Sequence, residues 1–236
     1  MMAPPRPQSP GAHIYFTLFT MKPEVRSGRA SVLSRELIIA TALDIVAADG
    51  LDALSLRGVA GRLGVTAPAL YAYVDDKLDL LRGVAELEFV RLTARFDAVS
   101  AIDPIERIRA QTRSYVEQAL ADPALFQVMF VFRPDWAQQP SVDELPAASK
   151  AFAAGAAAIE DAMRAGQLRA DDPFLVAISL WAAAHGTASV LLAGLNLGAE
   201  FESRVIDTVV DNLLRGLAAP NAPNASNAPN DLSAKD

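Results

Sequence analysis

Between Ser55 and Lys77 the chain has room for two short helices and the turn between them, and for little else. Ser55 offers a hydroxyl N-cap, and Leu56, Val59, Ala60 and Leu63 recur at three- and four-residue steps behind it. Gly64 then ends that helix. Thr66 opens a second one with Pro68 in its first turn, where the missing N–H costs nothing. This second helix carries Ala67, Ala69, Tyr71 and Tyr73 and stops near Lys77, where Asp75 or Asp76 can cap whatever follows. A helix, a glycine-containing turn and a shorter helix form the layout of a helix-turn-helix, whose second helix enters the DNA major groove.

The same periodicity extends to both sides. Leu37, Ile38, Thr41, Ala42, Ile45 and Val46 mark a first helix between the cap Ser34 and the breaker Gly50, with Glu36 in its first turn, where the helix dipole favours it. After Asp76, the stripe Leu80, Leu81, Val84, Leu87, Val90 and Leu92 predicts a long fourth helix to about Phe96. Asp103-Pro104, Asp122-Pro123 and Asp171-Asp172-Pro173 open three more, the second ending at Phe132 before Pro134. An Ala-rich helix is expected over 141–165 and a last one over Glu200–Leu217. Strand-type alternation is absent, so the chain reads as all-α with about nine helices. Residues 1–33 are expected to be a disordered arm, with Met21 as an alternative start, and 219–236, where Asn-Ala-Pro-Asn recurs, a disordered tail. The domains expected between them are 34–80 and 81–218.

Composition narrows the chemistry. Of 236 residues 52% are apolar and 21% charged, which permits a sizeable core. There is no Cys, so disulfides, thiolate catalysis and Cys-based zinc sites are excluded. The two histidines are His13, in the arm, and His185, too few for a His-rich metal site. No nucleophile or carboxylate pattern accompanies His185, so no catalytic residue, metal or cofactor is expected. The net charge of −7 comes entirely from residues beyond 100, because the first hundred are balanced. Local positive charge, not a basic whole protein, is what phosphate contacts need.

From Phe174 to Ala199 no charged residue occurs, a length that could cross a bilayer. Its Ser, Thr, Asn, Gly and His content and the lack of a one-sided basic flank favour a buried or interfacial helix instead. No membrane association is expected, and a cytoplasmic location is.

Residues 35–82 resemble the TetR family of bacterial transcription regulators. The likeness rests on Ile39-Ala40, Ala42-Leu43, Gly50-Leu51-Asp52-Ala53-Leu54-Ser55, Leu56-Arg57-Gly58-Val59-Ala60, Leu63-Gly64-Val65-Thr66, Leu70-Tyr71, Tyr73 and Lys77. The Thr-x-Pro-x-Leu-Tyr arrangement is especially similar to the tetracycline-repressor branch. The resemblance implies that Thr66 caps the recognition helix and touches phosphate, and that Ala67, Pro68 and Ala69 face the bases. It further implies backbone contacts from Tyr71, Tyr73 and Lys77, and from Ser55 and Arg57. Pro68 stands where Gly is frequent and Val74 where Phe is, and Asp75-Asp76 adds negative charge beside the expected phosphate contact.

In that family the second region dimerises and binds a small molecule. Trp181-Ala182-Ala183-Ala184-His185-Gly186 resembles the Trp-x-x-x-His-Gly signature of one C-terminal subclass. Trp181 and His185, four apart, share a helix face, and Gly186 would permit close helix approach. Phe126, Met129, Phe130, Phe132, Trp136, Phe152 and Met163 are candidates to line an apolar ligand pocket, with Trp181 beside them and His185 as polar anchor; ordinary core packing is the alternative for each. The last two helices, about 172–217, are the expected dimer interface, through Val205, Val209, Leu213 and Leu217. The expected function is a homodimeric transcription repressor, released from double-stranded operator DNA by a small apolar or amphipathic effector. The alternative is a helical small-molecule-binding protein with a degenerate DNA head.

Overall fold

Asp and Ser caps decide where most of the helices begin. In the computed structural model, which describes residues 33–131, 146–194 and 198–220, the side chains of Ser34, Ser55, Asp76, Asp103 and Asp172 each accept a backbone N–H in the first turn of the following helix. The described residues form nine α-helices and no strand: α1 Arg35–Asp49, α2 Leu56–Leu63, α3 Ala67–Leu70, α4 Lys77–Asp97, α5 Pro104–Ala121, α6 Pro123–Val131, α7 Pro146–Arg164, α8 Pro173–Leu192 and α9 Ala199–Leu217. The arm expected at 1–33 and the tail at 219–236 fall almost wholly outside the described residues, as do Phe132 and Trp136.

α1, α2, α3 and the start of α4 share one core. Ile38, Val46, Leu54, Val59, Leu70, Val74, Leu80 and Val84 are all fully buried in it. Gly83 lets α4 come close to α1: a Cβ there would lie 2.3 Å from Ile39 Cδ1 and 2.7 Å from its Cγ1. Gly83→Ala is therefore expected to wedge the two helices apart at a cost of about 1–3 kcal/mol, read as a lower urea midpoint with an unchanged m value. A loss below about 0.5 kcal/mol would mean that Ile39 simply turns away.

The α4 stripe differs from the expected one. Leu87 is 36% and Val90 55% exposed, while Ala85, Glu88 and Phe89 are buried beside Leu81, Val84 and Leu92. Each three-residue step falls about 60° short of a full turn, so the run 84, 87, 90 rotates off the buried face, whereas mixed steps of three and four stay on it. The buried carboxylate of Glu88 accepts from Arg91 at 2.6 Å and Gln118 at 3.2 Å. Burial pushes its pKa up against the opposing pull of Arg91.

Beyond the head, α4 packs on α6 and α7, and α8 packs on α5, α7 and α9. α8 is long and apolar enough to cross a membrane, yet Val176, Leu180, Ala184, Ala188 and Leu191 are buried against these neighbours. On α9 the inward residues are Ile206, Val210 and Leu214; Val205, Leu213 and Leu217 also pack against the chain's own two cores. The stripe expected at a dimer interface is thus largely occupied within the chain.

Candidate DNA-binding face and ligand pocket

Gly64 adopts the left-handed conformation, φ 70°, that its missing Cβ makes cheap. Its N–H and that of Val65 return to the last carbonyls of α2, turning the chain tightly into α3. α3 is a single four-residue turn; Tyr71 to Tyr73 continue as a turn and not as helix. Leu70, fully buried, is its one anchor, so Pro68, Ala69, Tyr71 and Tyr73 are left facing outward and Ala67 half so. Tyr71 is 58% exposed.

The hydroxyl of Thr66 does not cap α3; the residue contributes only its carbonyl, which accepts from Ala69 N. With Pro68 in the first turn the helix has fewer N–H groups to satisfy, and the exposed hydroxyl has no partner among the described residues. Ser55 does cap, accepting from Gly58 N at 3.0 Å. Arg57 and Lys77 are exposed and make no ion pair with the described residues. Of the two aspartates beside Lys77, Asp76 is committed to capping α4 at Asp79 N, 2.8 Å away.

Sequence reasoning missed the brace behind this face. Asp79 takes a two-pronged bond from the Arg35 guanidinium, at 2.6 and 2.7 Å, and Arg35 also donates to the carbonyl of Tyr73 at 2.8 Å. Asp79 in addition accepts the N–H of Asp75. The guanidinium holds the Asp79 carboxyl below its usual range. Arg35, the first residue of α1, thus ties α1, the turn after α3 and α4 together. The i, i+44 separation leaves no local trace.

A cavity of about 530 Å³ lies between α4, α5, α6, α7 and α8. Phe89, Leu92 and Phe96 of α4 form one wall, and the small residues Ala148, Ala151, Gly155 and Ala156 of α7 form another. Of the expected pocket residues, Met129, Phe130, Phe152 and Trp181 line it. Phe126 sits one layer behind, edge-on to Tyr115 with ring centres 5.8 Å apart, and Met163 packs in the second core cluster with Ile159 and Leu168. Gln111, Thr112 and Tyr115 of α5 and Phe174 and Ile178 of α8 are among the further lining residues that were not expected. The small residues of α7 were the available signal, because side chains that fill no space leave a cavity.

Trp181 and His185 both meet the same hydroxyl. Trp181 Nε1–H donates to Tyr115 Oη at 3.3 Å, and Tyr115 Oη lies 3.0 Å from His185 Nδ1. Indole nitrogen can only donate, so the phenol accepts from Trp181; Nδ1 is the one acceptor that its own proton reaches among the described residues, and a proton given there leaves that of neutral His185 on Nε2. Burial lowers the pKa of His185, consistent with a neutral ring, and raises that of Tyr115. Phe130 stands edge-on to His185 at 4.6 Å and Phe126 lies 5.3 Å away. The histidine thus clips α8 to α5 from behind the cavity wall. Gly186 has nothing within 4 Å of a notional Cβ, so no neighbour among the described residues requires it.

Both halves match known families. Residues 38–84 fit the model of the bacterial regulatory proteins of the tetR family, and residues 108–217 that of the tetracyclin repressor-like C-terminal domain. An uncharacterised HTH-type transcriptional regulator from Mycobacterium tuberculosis, Rv0681, is 28% identical over 170 residues, 71% of this chain and 74% of the relative. The class C tetracycline repressor of Escherichia coli is 44% identical over 54 residues, 23% of this chain and 25% of that protein. A structure of a protein of unknown function from Rhodococcus sp. RHA1 superposes with a TM-score of 0.68 at 26% identity, covering 84% of this chain and all of the other. With a helix-turn-helix whose anchor, cap and glycine turn are in place, and both family models matched in order, the chain belongs to the TetR family of DNA-binding transcription regulators.

Proposed function

We propose that this regulator is a homodimeric repressor released from its operator by a small molecule bound in the cavity between α4 and α8, and that it acts in the cytoplasm. The observation that carries the reading is the reach of α4. One unbroken helix of 21 residues begins at Lys77, beside the recognition turn, and ends against the cavity through Phe89, Leu92 and Phe96. That is a rod of about 30 Å, so a ligand that shifts its far end tilts its near end. Two recognition helices must lie about 34–36 Å apart to enter successive major grooves, and a ligand that prefers another spacing weakens DNA binding by linkage. The pairing surface we assign to the outward face of α8, where Leu175, Ser179, Ala182, Gly186 and Val190 follow one another at three- and four-residue steps, all exposed. There Gly186 would acquire the close neighbour it lacks among the described residues.

In this reading Thr66, Tyr71, Tyr73, Lys77, Ser55 and Arg57 contact the DNA backbone, and Ala67, Pro68 and Ala69 face the bases. No Arg, Asn or Gln stands on that face, so base choice leans on thymine methyl contacts and DNA shape. Sites selected from a random duplex pool supply the probe. Lys77→Ala is expected to lower affinity for them at least about tenfold and to reduce the slope of log affinity against log salt by about one, with the dimer intact by light scattering. Tyr71→Ala is expected to abolish specific binding. Unchanged affinity in both variants would refute these assignments. If no sequence is enriched and salt has little effect, the second reading applies, that of a ligand-binding protein with a degenerate head. The charge balance of the first hundred residues and the internal use of Arg35 favour it.

A further inference from the structure

We infer that the cavity selects an uncharged ligand carrying a hydrogen-bond donor, a neutral hydroxylated apolar molecule such as an alcohol or phenol. The inference rests on the cavity being the effector site. Among its described lining residues there is no Lys, Arg, His, Asp or Glu. A carboxylate, phosphate or ammonium placed there would lose its hydration and gain no counter-charge. Polar groups are few: the hydroxyls of Thr112 and Ser149 can give or take a bond, while Tyr115 and Gln111 are more restricted and are not equivalent. Tyr115 has its proton committed to His185 and accepts from Trp181, so it has no donor left for a ligand.

Gln111 is different. It is 94% buried, it lines the cavity, and its Nε2 donates to the carbonyl of Phe96 at 3.4 Å. Because a carbonyl can only accept, the amide must turn its nitrogen to Phe96. Its oxygen is left as an acceptor with no partner among the described residues. The oxygen is not one of the sealed, unpartnered polar atoms of the described residues, so a ligand hydroxyl that reaches it at the cavity wall takes the place of water there. The rest of the wall, with Phe152, Phe130 and the small residues of α7, takes the apolar body.

The test uses three probes on one skeleton: 4-propylphenol, its methyl ether 4-propylanisole, and 4-propylbenzoate. They are titrated calorimetrically into the full chain at neutral pH, where the phenol is uncharged and the benzoate ionised. The phenol is expected to bind tightest, the ether about tenfold more weakly, and the benzoate at least about a hundredfold more weakly. In Gln111→Leu the phenol-to-ether ratio is expected to fall to about one. The wild-type ranking stands as a test even where that variant is unstable. Benzoate binding as tight as phenol, no detectable phenol binding, or an unchanged ratio in folded Gln111→Leu would overturn the inference. Ala156→Trp, which fills the cavity, separates the two levels. If benzoate binds the wild type tightly and this variant not at all, the cavity stands and the ligand class falls. If the variant leaves all dissociation constants unchanged, the cavity reading falls as well.

Discussion

Leu70→Ala is expected to eliminate operator binding and to cost about 2–5 kcal/mol of stability, a large share of the total for a domain of ordinary stability. Leu70 is completely buried and is the one side chain by which the four residues of α3 enter the core. Four residues cannot hold a helix by propensity, since nucleation alone is unfavourable at that length. With the anchor truncated, the Arg35 bond to the Tyr73 carbonyl and the Gly64 turn remain, but neither fixes the rotation of α3 about its own axis. Urea unfolding followed by circular dichroism reads the stability, and retention on the selected duplex reads the function. A variant that loses less than about 1 kcal/mol and binds DNA as the wild type does would show that the turn geometry alone positions the recognition helix.

Tyr115→Phe is expected to cost about 1–3 kcal/mol, because it strips a partner from both the Trp181 N–H and His185 Nδ1 at once. Trp181 is 38% exposed, so water can recover part of the loss and the figure stays below that of two fully buried orphans. The pH dependence distinguishes the clip from simple packing. In the wild type the folded pKa of His185 is depressed, so its contribution to stability is present above the ordinary histidine pKa of about 6.5 and is lost as the pH falls. The bond donated by Tyr115 favours the neutral ring. Removing it lets Nδ1 take a proton and raises the folded pKa, so the variant loses less stability on acidification. The gap in melting temperature between wild type and variant is therefore expected to narrow from about pH 7.5 to about pH 5.5. A gap that stays constant would reduce the histidine to a packing residue.

Much of the architecture is local chemistry and could be read without coordinates. Ser34, Ser55, Asp76, Asp103 and Asp172 cap the helices they precede, and Gly64 turns where a left-handed residue is required. A cap acts within three residues, so its signature is written in adjacent letters. The helix-turn-helix was legible for the same reason. Where local rules competed, reading failed: Leu87 and Val90 are as apolar as their neighbours, and only the packing of α4 against α6 and α7 chooses Phe89 and Glu88 instead. Thr66 looked like a cap by type, but the short α3 begins without using its hydroxyl.

The features that bear on ligand and signal came from pairs far apart in the chain. Arg35 meets Asp79 across 44 positions, and Tyr115 meets Trp181 and His185 across 66 and 70. The Trp-x-x-x-His spacing could put two side chains on one face of a helix, but it could not name the hydroxyl that both would reach. Likewise an alanine-rich stretch does not announce a cavity until the aromatic walls opposite it are brought into place. Caps, turns and helical period are settled within one turn of backbone and so belong to the sequence. Ion pairs, clips and cavities arise where separate helices meet, and only the tertiary packing decides which surfaces those are.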